Sequence, residues 1–304
     1  MNITVSNFLR YLEAELNMSA NTVAAYRRDL RDWEHWATDG GARPLDPVDM
    51  TAGDLRAWLG HETRRGLTGA TIKRKASALR SFYRYLLERG EVKVNIAERL
   101  VTPKQPKPLP VFVKPGEMEA LLTTDDPAAT TPFLSARNSL IVDILYSAGL
   151  RCQELIDLRD SWADTAVGTL RVLGKRRKER IVPVGRALCE RIEDYRALRD
   201  ADPLTRGAAD SPLLVRPDGE PLARKDVYNI VHRMMESAGV HASRLSPHVL
   251  RHSCATDLLN SGAGLDSVRE LLGHKSLATT QIYTHLTYRE LQHNYQLAHP
   301  RAAK

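Results

Sequence analysis

Cysteine is scarce and scattered: Cys152, Cys189 and Cys254 are an odd number with no C-x-x-C pair, which excludes a disulfide scaffold. Long apolar runs are missing too. The opening Met1-Asn2-Ile3-Thr4-Val5-Ser6-Asn7 has no basic stretch leading into an apolar one, and Leu140-Ile141-Val142 is cut by Asp143. The chain therefore reads as cytoplasmic, with neither export signal nor membrane span. It also lacks internal repeats and low-complexity tracts. What is present, 304 residues with 42% hydrophobic and 27% charged side chains, suits one large or two ordinary globular domains and excludes global disorder. Acids are in the minority: 37 Asp and Glu face 44 Lys and Arg, leaving +7. That excess points either to a polyanionic partner or to solvated basic faces.

The best boundary is Pro103-Lys-Gln-Pro-Lys-Pro-Leu-Pro110, where four prolines in eight residues forbid helix. Upstream, residues 1–107 hold +5 of the +7 and read as helices. Val5, Phe8, Leu9, Leu12 and Leu16 recur at helical spacing, as do Val23, Tyr26, Leu30 and Trp33. Thr51-x-x-Asp54 opens a third helix, and Thr68 precedes a fourth carrying Ile72, Ala76, Leu79, Tyr83 and Leu86. From Arg64 to Arg89 there are eight basic residues and one acid, Glu88, with Lys73, Ser77, Arg80 and Arg84 along one side. Such a stripe suits a phosphate backbone, or is an ordinary wet helix face.

Downstream the pattern is mixed. A helix near Glu117 to Leu122 and another from Leu134 to Ala148 lead to Gly149, a residue suited to a left-handed stop. Leu170 and Val172, then Gly174-Lys175-Arg176-Arg177, then Ile181, Val182 and Val184 read as a hairpin. Further helices are expected near 186–199, 225–238, 249–261, 265–272 and 277–295, with a loop at 202–211.

The densest polar stretch is Ser246-Pro247-His248-Val249-Leu250-Arg251-His252-Ser253, followed by Leu271-Leu272-Gly273-His274 and Thr279-Thr280-Gln281-Ile282-Tyr283-Thr284-His285. Three readings apply. A zinc site using His248, His252 and Cys254 would be opposed by Arg251, Arg269 and Lys275 and has no carboxylate among its ligands. The histidines fit equally a structural role, satisfied by backbone partners. A phosphate site needs arginines, imidazoles and a hydroxyl nucleophile together, and Arg151, Arg251, His248 and Tyr283 supply them. Arginine suits that task because its planar fork pairs with phosphate oxygens and keeps its charge.

Ala148-Gly149-Leu150-Arg151-x-x-Glu154-Leu155, Pro247-His248-x-Leu250-Arg251-His252, Leu271-Leu272-Gly273-His274 and Thr279 to His285 resemble, in order and spacing, the signature boxes of tyrosine recombinases. Ser19-x-Asn21-Thr22-x-x-x-Tyr26, Ser81 to Leu86 and the terminal Ala298-His299-Pro300-Arg301-Ala302 extend the resemblance to the bacterial Xer recombinases over essentially the whole chain, with a lean to the XerC over the XerD type.

The resemblance implies a mainly α fold, a two-domain clamp. A four-helix SAM-like core-binding domain (1–102) is joined by a proline-rich linker (103–112) to a mostly helical catalytic domain with a small antiparallel sheet (113–304), ending in an exchange tail. It implies site-specific recombination that resolves chromosome and plasmid dimers, with Tyr283 attacking the scissile phosphate to form a 3′-phosphotyrosine. Arg151 and Arg251 would hold the non-bridging oxygens, Lys175 protonate the 5′ leaving oxygen, His248 act as general acid/base and His274 hydrogen-bond the phosphate. Lys73, Arg80, Arg84 and Arg176 are the DNA-contact candidates. No cofactor or metal is implied. The partners are double-stranded DNA, a heterotetramer with a second Xer recombinase or a homotetramer, and a cell-division DNA translocase; no membrane is involved.

A free phenol titrates at about 10, so Tyr283 needs a base or a positive field at neutral pH. The phosphotyrosine conserves the phosphodiester for rejoining without ATP, which accounts for the missing G-x-x-x-x-G-K-[ST] loop. Cys254 and Asp257 replace the family's usual Phe and His, and Arg176 its usual Gly, which bears on local packing and on the hairpin. The alternatives are a mobile-element integrase and a DNA-binding protein without catalysis. A first helix starting near Met1 leaves no arm-binding domain before it and favours the Xer reading over the integrase.

Overall fold

The computed structural model describes residues 2–40, 45–103, 112–174, 178–208 and 210–273. Two compact units form, Met1–Pro108 and Leu109–Lys304. Residues 104–111 of the expected linker lie outside the described residues.

The first unit is four helices, α1 (Ile3–Ala14), α2 (Ala20–Ala37), α3 (Ala52–Arg64) and α4 (Gly69–Glu88). Each begins where a side chain satisfies an orphan amide. Asn2, Ser19, Thr51 and Thr68 accept from the backbone N–H of Thr4, Thr22, Asp54 and Thr71, and Thr51 with Asp54 completes a capping box. Such caps contribute about 1 kcal/mol each. The apolar stripes meet in an aromatic core where Phe82 lies 5.4 Å from Phe8 and 5.7 Å from Trp33, ring centre to ring centre.

Within this unit the basic stretch is partly spent on ion pairs. Lys75 is buried over the Trp58 ring, with its ammonium 2.6 Å from Asp32 and 3.0 Å from buried Glu62. Arg74 pairs with buried Asp29, and Arg65 reaches Glu62 at 2.7 Å. These contacts tie α4 to α2 and α3. Of the DNA-contact candidates on α4, Lys73 and Arg84 are exposed, whereas Arg80 is half-buried and its guanidinium donates to the Leu100 carbonyl.

The second unit is built on α6 (Pro132–Ser147), whose residues from Leu140 to Ser147 are all buried. Its stretch is apolar on every side because α8 (Arg186–Asp200), α9 (Arg224–Ser237), α10 (Pro247–Asn260) and α5 (Pro115–Thr123) pack around it. The short α7 (Cys152–Ile156) follows the Gly149 corner, and α11 (Leu265–Leu272) packs on α10. Strands β1 (Ala163–Asp164), β2 (Thr169–Leu173) and β3 (Glu179–Pro183) form an antiparallel sheet in that order. The hairpin register sets Leu170 against Val182 and Val172 against Arg180. Leu170, Val172 and Val182 face the core, while Ile181 is on the outer face and exposed.

Sequence periodicity missed β1 and α7, both too short to repeat, and placed the start of α10 at 249 where proline at its first turn opens it at 247. The helix expected at 277–295 lies outside the described residues. No helix among the described residues is long and apolar enough to cross a membrane.

Gly149 does more than end α6. Its φ is +59°, and a Cβ there would lie 2.5 Å from Leu272 Cδ2 and 3.2 Å from Cys254 Sγ. The corner thus lets α6, α10 and α11 converge. Two of the three departures from the family pattern pack without conflict: Cys254 is fully buried against this corner, and Asp257 accepts a 2.9 Å hydrogen bond from the Tyr146 hydroxyl.

Candidate active site

Three segments converge on one cleft of about 160 Å³, lined by Arg151, His248, Arg251, His252, Ala255 and Leu272. Four of these sit at i, i+3, i+4 and i+7 of α10, the spacing that aligns side chains on one helical face. Arg151 comes from the N-cap of α7 and Leu272 from the last turn of α11.

Arg251 is nearly buried, with 6% of its surface exposed. Its guanidinium donates to the carbonyls of Gly149 and Leu272. Burial, with the charge of Arg151 beside it, pushes its pKa down to about 10, so it still carries its proton at neutral pH. Arg151 is half-exposed; it donates to Glu154 Oε1 at 2.6 Å and to the Gly273 carbonyl at 2.9 Å. Glu154 reaches back to accept the Arg151 backbone N–H at 2.9 Å, which fixes the arginine at the helix start.

His248 lies at the cleft mouth. Desolvation by the cleft walls, followed by the charges of His252 and Arg251, lowers its pKa below the ordinary 6.5. It is therefore a neutral imidazole at physiological pH, able to accept a proton.

Arg180 is a residue beside the cleft that the sequence motifs did not single out. It follows the basic run of the hairpin turn, yet its side chain is only 13% exposed. It pairs bidentately with Glu154 at 3.0 and 2.8 Å, and its Nε donates to the Leu271 carbonyl at 2.8 Å. The available signal was the β3 register: Arg180 lies opposite buried Val172 and shares its inward phase with Val182. Burial opposes the charge of Glu154, but Arg180 and Arg151 outweigh it and hold the carboxyl below its ordinary range.

Consecutive carbonyls at the end of α11 are thus each taken by a different arginine, Leu271 by Arg180, Leu272 by Arg251 and Gly273 by Arg151. These are orphan acceptors at the negative end of a helix, which cations satisfy well. Gly273, at φ +64°, closes the helix.

The structure therefore brings together Arg151, His248 and Arg251. Lys175, Arg176, His274 and Tyr283 lie outside the described residues. Among the described residues no three His, Cys, Asp or Glu side chains are grouped to hold a metal ion.

This arrangement offers two guanidinium groups and a neutral imidazole to one anion, the recognition set of a phosphoryl-transfer site. The phage integrase family matches residues 112–290, and the phage integrase N-terminal SAM-like domain matches residues 5–90. The tyrosine recombinase XerC of Bacillus pumilus is 38% identical over 98% of this chain and 96% of its own. The tyrosine recombinase XerD of Listeria monocytogenes is 35% identical over 99% and 100%. Among solved structures, the XerH recombinase bound to its difH substrate superimposes with TM-score 0.71 at 23% identity, covering 96% of this chain and 94% of that one. The Tn1549 transposon integrase in complex with transposon right-end DNA gives 0.73 at 17%, covering 96% and 98%.

The chain belongs to the phage integrase family and is a tyrosine recombinase, an enzyme of site-specific DNA strand cleavage and transfer. Within that family it is XerC-like.

Proposed function

We propose that this recombinase resolves chromosome and plasmid dimers at paired duplex DNA sites in the cytoplasm, through a 3′-phosphotyrosine on Tyr283. The observation that carries the chemistry is the convergence of Arg151, Arg251 and His248 on one cleft. Arg151 and Arg251 hold the non-bridging oxygens of the scissile phosphate and offset the charge added in the five-coordinate state, where a single donor is worth roughly 3–4 kcal/mol in other enzymes. Neutral His248 takes the phenolic proton as Tyr283 Oη bonds to phosphorus. The bond from phosphorus to the 5′ oxygen breaks, and Lys175 protonates that oxygen. His274 adds a hydrogen bond to the phosphate. In the second half-reaction a 5′ hydroxyl gives its proton to Lys175 as it attacks the phosphotyrosine, the bond from phosphorus to Tyr283 Oη breaks, and protonated His248 returns its proton to the phenol, so the number of phosphodiesters is conserved.

Exposed Lys73 and Arg84, with Arg80 and Arg176, contact the DNA backbone. The likeness to both XerC and XerD relatives supports a tetramer containing a second Xer recombinase, with a homotetramer as the other arrangement and a DNA translocase as activator. The test starts by selecting a binding site from a pool of random-sequence duplexes with the full-length protein. A nicked duplex bearing that site then yields a covalent protein–DNA adduct with the wild type and none with Tyr283→Phe. An adduct of undiminished yield with Tyr283→Phe refutes the assignment of the nucleophile.

A further inference from the structure

We infer that Arg180 is a positioning residue of the strand-cleavage reaction: it takes up part of the charge of Glu154, leaving Arg151 available to the scissile phosphate. The inference rests on the reading of Arg151 as a phosphate ligand.

Glu154 is one carboxylate among three guanidinium groups. Its Oε1 accepts from Arg151 at 2.6 Å and Arg180 at 3.0 Å. Its Oε2 accepts from Arg180 at 2.8 Å and from the Arg151 backbone at 2.9 Å, with Arg251 at 3.7 Å. Glu154 is 6% exposed, so water cannot screen its charge well. Without a second cation of its own, the carboxylate would draw on Arg151, which lines the cleft, and cancel the charge meant for the DNA. With Arg180 in place the cluster keeps a positive surplus, on the two arginines that line the cleft.

Placement supports this assignment. Arg180 does not line the cleft, so its effect passes through Glu154. It also meets the other parts of the site. A Cβ on Gly174, the residue before Lys175, would lie 3.6 Å from Arg180 Nη1 and 3.8 Å from Glu154 Oε1. Arg180 Nε holds the Leu271 carbonyl, at the end of α11, whose chain continues to His274 and Tyr283. One guanidinium therefore joins the base of the hairpin, the start of α7 and the end of α11.

The test uses the full-length protein and the nicked duplex carrying its selected site, with single-turnover adduct formation and DNA affinity measured separately. R180Q slows adduct formation about tenfold or more and changes affinity less than about threefold, since one of several phosphate contacts is affected. Adding E154Q removes the carboxylate that R180Q left unbalanced, and R180Q/E154Q recovers at least about threefold of the lost rate. A structural role alone would make the double variant slower than either single one, and that result overturns the inference. R180K keeps the charge and one carboxylate bond, so it stays within about threefold of wild type and decides the matter where R180Q is too unstable to purify. A tenfold loss in a folded R180K overturns it as well. Wild-type protein that forms no adduct refutes the underlying function, whereas normal adduct formation by R180Q refutes only the role of Arg180.

Discussion

Gly149→Ala perturbs the corner on which the whole cleft is hung. Two costs act at once. An alanine at φ +59° pays the left-handed penalty of about 1–2 kcal/mol, and its methyl would sit 2.5 Å from Leu272 Cδ2. Leu272 is 1% exposed and hemmed in by the core, so relief requires the end of α11 to shift. Overpacking of this kind costs about 1–3 kcal/mol. Together they destabilise the second unit by about 2–5 kcal/mol, which for a unit of this size lowers its Tm by roughly 5–15 °C. Function should suffer beyond stability, because the Gly149 carbonyl and the Leu272 carbonyl are the two acceptors of Arg251. The assay is calorimetric melting of the full chain beside adduct formation at a temperature where the variant remains folded. The first unit, with its separate core, keeps its transition. A variant melting within 1–2 °C of wild type and cleaving at the wild-type rate would refute the reasoning about this corner.

Other outcomes follow from the same contacts. Adduct formation should hold its rate through pH 7 and decline below pH 6.5, because His248, with its pKa lowered by desolvation, loses its capacity as a base only once it is protonated; a pH–rate profile checks this, and a decline already complete at neutral pH would contradict it. Lys75→Met takes from buried Glu62 and Asp29 one of their two cations, leaving Arg65 and Arg74 in place, and should destabilise the first unit in urea unfolding by less than the about 3–5 kcal/mol of an uncompensated buried charge, whereas exposed Lys73→Ala should leave stability unchanged and reduce the salt slope of DNA binding by about 1. Asp257 has its pKa raised by burial, so its stabilising share is present at low pH and lost as pH rises through the folded value. Asp257→Asn should therefore melt higher than wild type at neutral pH, with the gap closing in acid; a gap that widens in acid would reverse the sign.

The helices of the first unit could be read from the sequence because their information is local: an apolar repeat behind a capping hydroxyl, as at Thr68 and Ile72. The α10 face was legible for the same reason, since His248 and Arg251 are three residues apart. Arg180 was not, because its partners are 26 and 91 residues away and in the sequence it comes just after a run of basic residues, 175–178. Lys75 shows the converse. It is one of the eight basic residues between Arg64 and Arg89, but helical phase turns it inward, where Glu62 and Asp32 wait on other helices. Distances along the chain of this size leave no periodic trace, so charge pairing across elements becomes visible only in three dimensions.

The last turn of α11 carries a consequence of its own. Its three terminal oxygens and the three cations that bind them complete one another, so fraying of that turn would free the guanidiniums to swing and would erase the shape they present. With Arg151 and Arg251 as the proposed phosphate ligands, competence to cut would be bound to the integrity of a few backbone groups.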